Sequence, residues 1–246
     1  MALSGKVAII TGSSSGIGAG IAAVFAKEGA KLSLTGRNQD NLEEVVKNCM
    51  KAGCQDAFRS TLVETTKKKF GKIDILVNNA GIGGLNPLTS ATKEQYDTLM
   101  AVNVEAPLFL TQLTAPHLIE TKGNVVNIST SATSTIMPGL GVYVMSKTAL
   151  DTFTRYLAQE LASHGVRVNA INPGYVTTPA FSKILPEDKL DQFCIGLVNA
   201  TPLGRGSTPE EIGHLVVFVA SDKAAFVTGE CFRADGGITM TTPTLA

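Results

Sequence analysis

Short apolar runs rich in Val, Ile and Leu alternate along this chain with longer stretches of helical period, and that alternation constrains the fold more than any other feature. The runs are Val7–Ile10, Leu32–Thr35, Ile73–Val77, Asn124–Ile128, Arg167–Ile171 and one near Glu230–Arg233. The helical stretches are Gly16–Glu28, Gln39–Lys51, Ala57–Phe70, Lys93–Glu120, Tyr143–Ser163 and Glu210–Ala220. Such an order predicts an α/β fold, a doubly wound parallel sheet covered by helices on both faces. The 246 residues fit one such domain, because α/β folds stretch the usual domain length to about 250 residues. No internal repeat, low-complexity tract or interdomain linker breaks the pattern, so residues 1–246 are read as a single domain. The least regular stretch, 177–203, is punctuated by Pro179, Pro186 and Pro202. Ligands of open α/β sheets sit beyond the carboxyl ends of the strands, which places this insertion where it can cover a substrate.

Charge and composition narrow the function classes. Lys+Arg and Asp+Glu both number 21, so the chain lacks the basic excess expected of a nucleic-acid binder. A hydrophobic share of 44% against 17% charged residues supports a buried core rather than disorder. No apolar run reaches the roughly 18 residues of a membrane span. Cys49, Cys54, Cys194 and Cys231 form no CxxC pair and have no histidine partners at zinc spacing, so reduced thiols and no metal are expected. The first residues run directly into a strand without the layout of a signal peptide, and Thr244-Leu245-Ala246 is no retention or peroxisomal signal. A cytoplasmic location is the expectation that follows. His117, His164 and His214 are scattered through helical stretches, and Ser13–Ser15 lie in no Gly-x-Ser-x-Gly elbow, so a serine hydrolase is disfavoured.

The stretch Thr11-Gly12-Ser13-Ser14-Ser15-Gly16-Ile17-Gly18 lies between the first strand and the first helix. Gly12 permits a tight turn, Gly16 lets backbone approach a phosphate, and Gly18 lets the helix pack on the strand. The helix N-terminus then offers unpaired N–H groups to the anion. Strand before and helix after make this a dinucleotide signature, not a bare turn.

Its spacing, Thr-Gly-x3-Gly-x-Gly, resembles the short-chain dehydrogenase/reductase family, and further family motifs follow in order across nearly the whole chain. They are Asn78-Asn79-Ala80-Gly81, Asn103, Tyr143-x3-Lys147, Pro173-Gly174, Val227-Thr228-Gly229 and Asp235-Gly236-Gly237. The resemblance implies a Rossmann-like fold and an oxidoreductase moving hydride between a nicotinamide cofactor and a carbonyl or secondary alcohol. It assigns cofactor contacts to Gly12, Ser14, Ser15, Gly16, Ile17, Gly18, Asn79, Ala80, Gly81, Pro173, Gly174, Val176 and Thr178. The resemblance of the 227–237 region to oligomeric members implies a homo-oligomer, a tetramer or a dimer.

Tyr143 and Lys147 sit at i and i+4 of a helix and share one face, where an ammonium beside a phenol favours phenolate. Such a tyrosine serves as general acid towards a ketone or as base towards an alcohol. The resemblance implies that Lys147 also holds the nicotinamide ribose and that Asn103 supports a proton-relay water. For the hydroxyl that polarises the substrate, an ungapped count back from Tyr143 along the family's spacing reaches Thr130, where relatives carry serine. A shift of one residue in the loop 132–142 brings Ser131 into the role instead, and both stay open.

At the end of the second strand the chain reads Leu34-Thr35-Gly36-Arg37. NAD-preferring relatives tend to carry Asp where Gly36 stands, whereas Arg37 suits a 2′-phosphate, so NADP(H) is the preferred cofactor and NAD(H) the alternative. Ser13 and Ser14 are placed to add hydroxyl contacts to that phosphate. Only 40 residues separate Arg37 from Asn78, fewer than the resemblance leads one to expect. With Ala57–Phe70 read as one helix and Ala52–Asp56 too short and polar, the third strand has no sequence. Two explanations follow, a true deletion or residues lost from the chain between Asp56 and Ala57, and the intact flanking helices favour the second. A non-catalytic nucleotide-binding regulator with the same fold is the competing function, resting on that shortened side and on Thr130. The apolar residues Tyr175, Phe181, Ile184, Leu185, Phe193, Ile195 and Leu197 of the insertion point to a partly apolar substrate.

Overall fold

The structure, a computed structural model, describes residues 1–54, the backbone of 57–59, and 63–240. Four of the expected sheet positions come first: β1 (Val7–Thr11), β2 (Lys31–Thr35), β4 (Ile75–Asn78) and β5 (Asn124–Ile128). They are followed by β6 (Arg167–Pro173) and β7 (Cys231–Ala234), and Ala57–Arg59 supplies β3. All pairings are parallel, in the order β3-β2-β1-β4-β5-β6-β7. The strand order reverses between β1 and β4, which puts a crevice at their carboxyl ends.

The third strand corrects the sequence reading, which found no residues for it. Leu32, Ser33 and Leu34 of β2 pair with Ala57, Phe58 and Arg59. Three residues are too few to show a period, and helical periodicity from Val63 onwards extends back over them when read as one segment. The outer edge of β2 would otherwise leave its backbone groups unpaired, and pairing wins over local pattern. The helix that remains, α3, is only Val63–Phe70. It stays on the sheet, with Thr66 Oγ1 and Ser33 Oγ of β2 sharing a hydrogen bond at 2.6 Å. The sequence runs on unbroken through position 57; residues 55 and 56, and with them the Asp56–Ala57 junction, lie outside the described residues. So does the C-terminal Thr244-Leu245-Ala246 read above.

The helices are α1 (Gly16–Lys27), α2 (Gln39–Lys51), α3, α4 (Lys93–Met100), α5 (Ala106–Thr121), α6 (Gly141–Leu161), α7 (Glu187–Ala200) and α8 (Pro209–Ala220). A π-helical turn, Ala101–Glu105, joins α4 to α5, so the single helix expected over Lys93–Glu120 exists with one widened turn. Thr92 and Thr208 open α4 and α8 with capping boxes to Gln95 and Glu211, which satisfy two otherwise unpaired backbone donors at each end. Both faces of the sheet are buried. Along β1, Ala8 and Ile10 join Phe25, Leu32 and Val216 on one side, while Ile9 joins Leu76, Leu118 and Val168 on the other. Side chains alternate across a strand, so one continuous apolar run serves two cores. No helix among the described residues is long and apolar enough to cross a membrane.

Candidate active site

The turn after β1 is built for close approach. Gly12 and Gly16 hold φ of 65° and 57°, left-handed values that side chains with a Cβ adopt at a cost. A Cβ at Gly12 would lie 2.8 Å from Ala80 Cα, and one at Gly18 would run into the Gly12 carbonyl oxygen and Asn79 Nδ2. Thr11 Oγ1 accepts from the backbone N–H groups of Asn79 and Ala80, each at 3.0 Å. Asn79 Nδ2 in turn donates to the carbonyls of Thr11 (2.8 Å) and Gly12 (3.1 Å). The motif Asn78-Asn79-Ala80-Gly81 therefore clamps the glycine turn from the neighbouring strand. Ser15 is the N-cap of α1 yet makes no capping bond with its side chain, leaving the first N–H groups of the helix open to an anion. These features fit a dinucleotide, whose phosphates need backbone at close range and no side chain in the way.

Two serines of this turn behave differently. Ser13 is fully buried, donating to Ile10 and Thr35 carbonyls and accepting from Thr35 N, so the phosphate contact expected of it does not arise. Ser14 lies against Gly36, where a Cβ would meet Ser14 Oγ at 2.8 Å. Arg37 is exposed at the carboxyl end of β2. Thr178 closes over the same turn, since a Cβ at Gly16 would touch its side chain at 3.4 Å.

A cavity of about 590 Å³ opens beside this turn, lined on the cofactor side by Ile17, Asn79, Gly81, Pro173, Gly174, Val176 and Thr178. Ser129, Thr130, Ser131, Tyr143 and Lys147 line it too. Thr130 stands next to Tyr143: burial pushes the Tyr143 phenol above its ordinary pKa, and a hydrogen bond with the Thr130 side chain pulls it back. Thr130 Oγ1 accepts from Ala132 N at 3.3 Å, an arrangement that leaves the hydroxyl proton free to donate elsewhere. Ser131 opens the short 3₁₀ turn Ser131–Ser134 and is buried.

Lys147, one turn after Tyr143 in α6, is buried and donates to the Ile128 carbonyl at 2.9 Å. Burial brings its ammonium down to about 8, and the Asp151 carboxylate one turn further on opposes the shift. Its Nζ also faces Gly81, where a Cβ would come within 3.2 Å. Asn103, in the π-helical turn, borders the same glycine, where that Cβ would lie 3.3 Å from its Oδ1. Its Oδ1 accepts from Ile82 N, and its Nδ2 donates to the Ile82 carbonyl and to Ser146 Oγ, each at 3.0 Å. Both amide hydrogens are thus engaged in holding the Gly81–Ile82 turn against α6.

Sequence reasoning passed over Asn172 and Asp151. Asn172 Nδ2 reaches the Thr130 carbonyl (3.2 Å), Thr133 Oγ1 (3.2 Å) and Asp151 Oδ2 (2.9 Å), tying β6, α6 and the Thr130 turn together. The signals were present in outline: Asn172 precedes Pro173-Gly174, and Asp151 follows Lys147 by four, hence on one helix face. The insertion does cover the cavity, through Ala180, Phe181, Ile184, Phe193, Leu197 and Ala200.

Residues 12–239 match the family described as enoyl-(acyl carrier protein) reductase. The chain is 38% identical over 248 residues to an uncharacterized oxidoreductase of Methylorubrum extorquens, covering 96% of this chain and 98% of that one. It is 34% identical over 252 residues to the 3-oxoacyl-[acyl-carrier-protein] reductase FabG of Thermotoga maritima, covering 98% and 100%. A short-chain dehydrogenase/reductase from Caenorhabditis elegans, solved with cofactor, superposes with a TM-score of 0.92 at 32% identity, covering 99% and 98%. The chain belongs to the short-chain dehydrogenase/reductase family of oxidoreductases, which use NAD(H) or NADP(H).

Proposed function

We propose that the protein is an NADP(H)-dependent reductase of a carbonyl compound, equivalently a dehydrogenase of the secondary alcohol, with Tyr143 as general acid and base. The observation that carries this reading is the convergence of Tyr143, Thr130 and Lys147 on one cavity that the glycine turn also borders. The nicotinamide, when bound, supplies the hydride. Gly12, Ser14, Ser15, Gly16, Ile17 and Gly18 hold the pyrophosphate side, Lys147 the nicotinamide ribose, and Pro173, Gly174, Val176 and Thr178 the nicotinamide side. A phenol whose pKa is raised by burial stays protonated at neutral pH, the form needed to give its proton to a carbonyl oxygen. Lys147, one helical turn on and lining the same cavity, supplies the ammonium that stabilises the phenolate in this reading. Thr130 Oγ1 donates to the same oxygen, with Asn172 and Asp151 as positioning residues for the Thr130 turn. Asn103 is a positioning residue as well, acting through Ile82.

Thr130 is favoured over Ser131 because its hydroxyl faces Tyr143. Thr130→Val keeps the branched shape and removes the donor, so kcat/KM should fall by about 10²–10³, as when one oxyanion donor is lost. Ser131→Ala should change it little. Steady-state kinetics of both variants decide the point, and the reverse order would move the role to Ser131.

The cofactor preference rests on Gly36 and Arg37. With Ser14 packed on Gly36, no acidic side chain fits there to hold ribose hydroxyls, and the exposed guanidinium of Arg37 is free to pair bidentately with a 2′-phosphate. Calorimetry should show NADPH bound at least about tenfold, roughly 1.4 kcal/mol, more tightly than NADH, with Arg37→Ala removing the difference. Equal affinities in the parent chain would return the preference to NAD(H).

The regulator reading loses the shortened sheet on which it leaned, since β3 is in place. We read the protein as cytoplasmic, acting on a small molecule and not on nucleic acid, and assembling as a homo-oligomer. Phe109 and Leu113, one turn apart on α5 and 55% and 62% exposed, support the last of these.

A further inference from the structure

We propose that the substrate is an uncharged, predominantly apolar ketone or secondary alcohol, not a sugar, a keto acid or an amine; this rests on the oxidoreductase reading above. Lys147 is the only charged side chain among the described residues that line the cavity, and it is buried with its Nζ bonded to the Ile128 carbonyl. Among the described residues no Asp, Glu, Arg or His lines the walls to meet a carboxylate, phosphate or ammonium group on a substrate. A charge brought into such a site would lose its hydration without a partner.

The polar groups that do line the substrate side gather at one end. Ser129 Oγ is bound to the Lys147 carbonyl, and Thr130 and Tyr143 are the pair that hold the reacting oxygen in the proposed mechanism. Away from them the walls are mostly hydrocarbon, with Ser131, Thr135 and Tyr175 as the residues that carry hydroxyls. One side is Ile82, Leu85, Ile136, Met137 and Leu140. The other is an aromatic stack in which the Phe181 ring lies 6.0 Å from Tyr175 and 5.0 Å from Phe193, both tilted. The same cavity of about 590 Å³ must also admit the nicotinamide, so the substrate's carbon frame lies along these walls. A polyol brings more hydroxyls than these few hydroxyl-bearing residues can partner, and those left against hydrocarbon cost more than the lost contacts alone. A gluconate 5-dehydrogenase at 34% identity and an L-xylulose reductase at 33% are among its relatives, and the proposal sets the substrate of this chain apart from the sugars in their names.

Two matched pairs test the inference in the intact protein with saturating NADPH: acetophenone against its para-carboxylate, and an unbranched aliphatic methyl ketone against a ketopentose. The apolar member of each pair should be reduced with a kcat/KM at least about a hundredfold higher, the scale on which pockets discriminate polar additions. Phe181→Ala should raise KM for acetophenone by about tenfold or more while kcat holds, because the ring contributes apolar wall and no group that moves the proton. A carboxylated or hydroxylated member reduced as well as its partner overturns the substrate class and leaves the oxidoreductase reading standing. If none of the four is reduced although NADPH binds, both are withdrawn.

Discussion

Tyr143→Phe should lower kcat by about 10²–10⁴-fold, the range that a positioned general acid contributes. The change removes one oxygen from a half-buried ring whose remaining atoms still pack on the cavity wall, so the fold and NADPH affinity should be retained. Thr130 stays in place in this variant, and its hydroxyl still polarises the carbonyl, which accounts for residual turnover. Stopped-flow reduction of a ketone, with NADPH binding measured in parallel, separates the two effects. A variant that turned over at the parent rate would remove Tyr143 from the chemistry and revive the regulator reading.

Gly18→Ala should be the most damaging conservative change in the cofactor site. Its methyl would enter space held by the Gly12 carbonyl and Asn79 Nδ2, and both belong to the clamp that fixes the glycine turn. Neither neighbour is the free end of a flexible side chain. Overpacking of this kind costs about 1–3 kcal/mol; at about 2–4 °C per kcal/mol for a domain of this size, Tm should fall by roughly 2–12 °C. Displacing the turn should also weaken NADPH binding by at least about tenfold. Gly196→Ala is the control: it lies inside α7 with nothing near its Cβ position, and alanine there should stabilise slightly. Thermal unfolding of the two variants, with and without NADPH, reads both expectations, and a Gly18→Ala protein with unchanged Tm and affinity would show the clamp to be dispensable.

Much of the architecture was legible because both of its periods are strong. Six strands and their parallel pairing follow from buried apolar runs such as Val7–Thr11, and α2 falls on Gln39–Lys51 with the expected bounds. The third strand was hidden for a physical reason. Its three residues carry no pattern of their own, and only the unpaired edge of β2 calls them into the sheet. The Asn103 turn was hidden differently: helical period does not distinguish an α-turn from the widened turn at Ala101–Glu105.

In the site, residues named by spacing were placed together, while the connections between them were not foreseeable. Tyr143 and Lys147 share a face because four residues make about one turn. That Ser13 turns inward to Thr35 while Ser14 meets Gly36 depends on backbone dihedrals fixed by the glycines on either side. Asn172 holds the Thr130 turn from a strand 42 positions away in sequence, a contact that exists only after β5 and β6 pair. The choice between Thr130 and Ser131 is of the same kind, since it turns on how the folded turn presents its hydroxyls and not on spacing.

The central claim is that this chain moves hydride to a carbonyl carbon with Tyr143 supplying the proton. The most direct measurement uses NADPH deuterated at the transferable position of nicotinamide C4, an apolar ketone such as acetophenone, and mass spectrometry of the product. The account predicts alcohol carrying one deuterium on the former carbonyl carbon, formed at the parent rate less an isotope effect and slowed about 10²–10⁴-fold by Tyr143→Phe. Tight NADPH binding with no labelled alcohol from any ketone offered would contradict it.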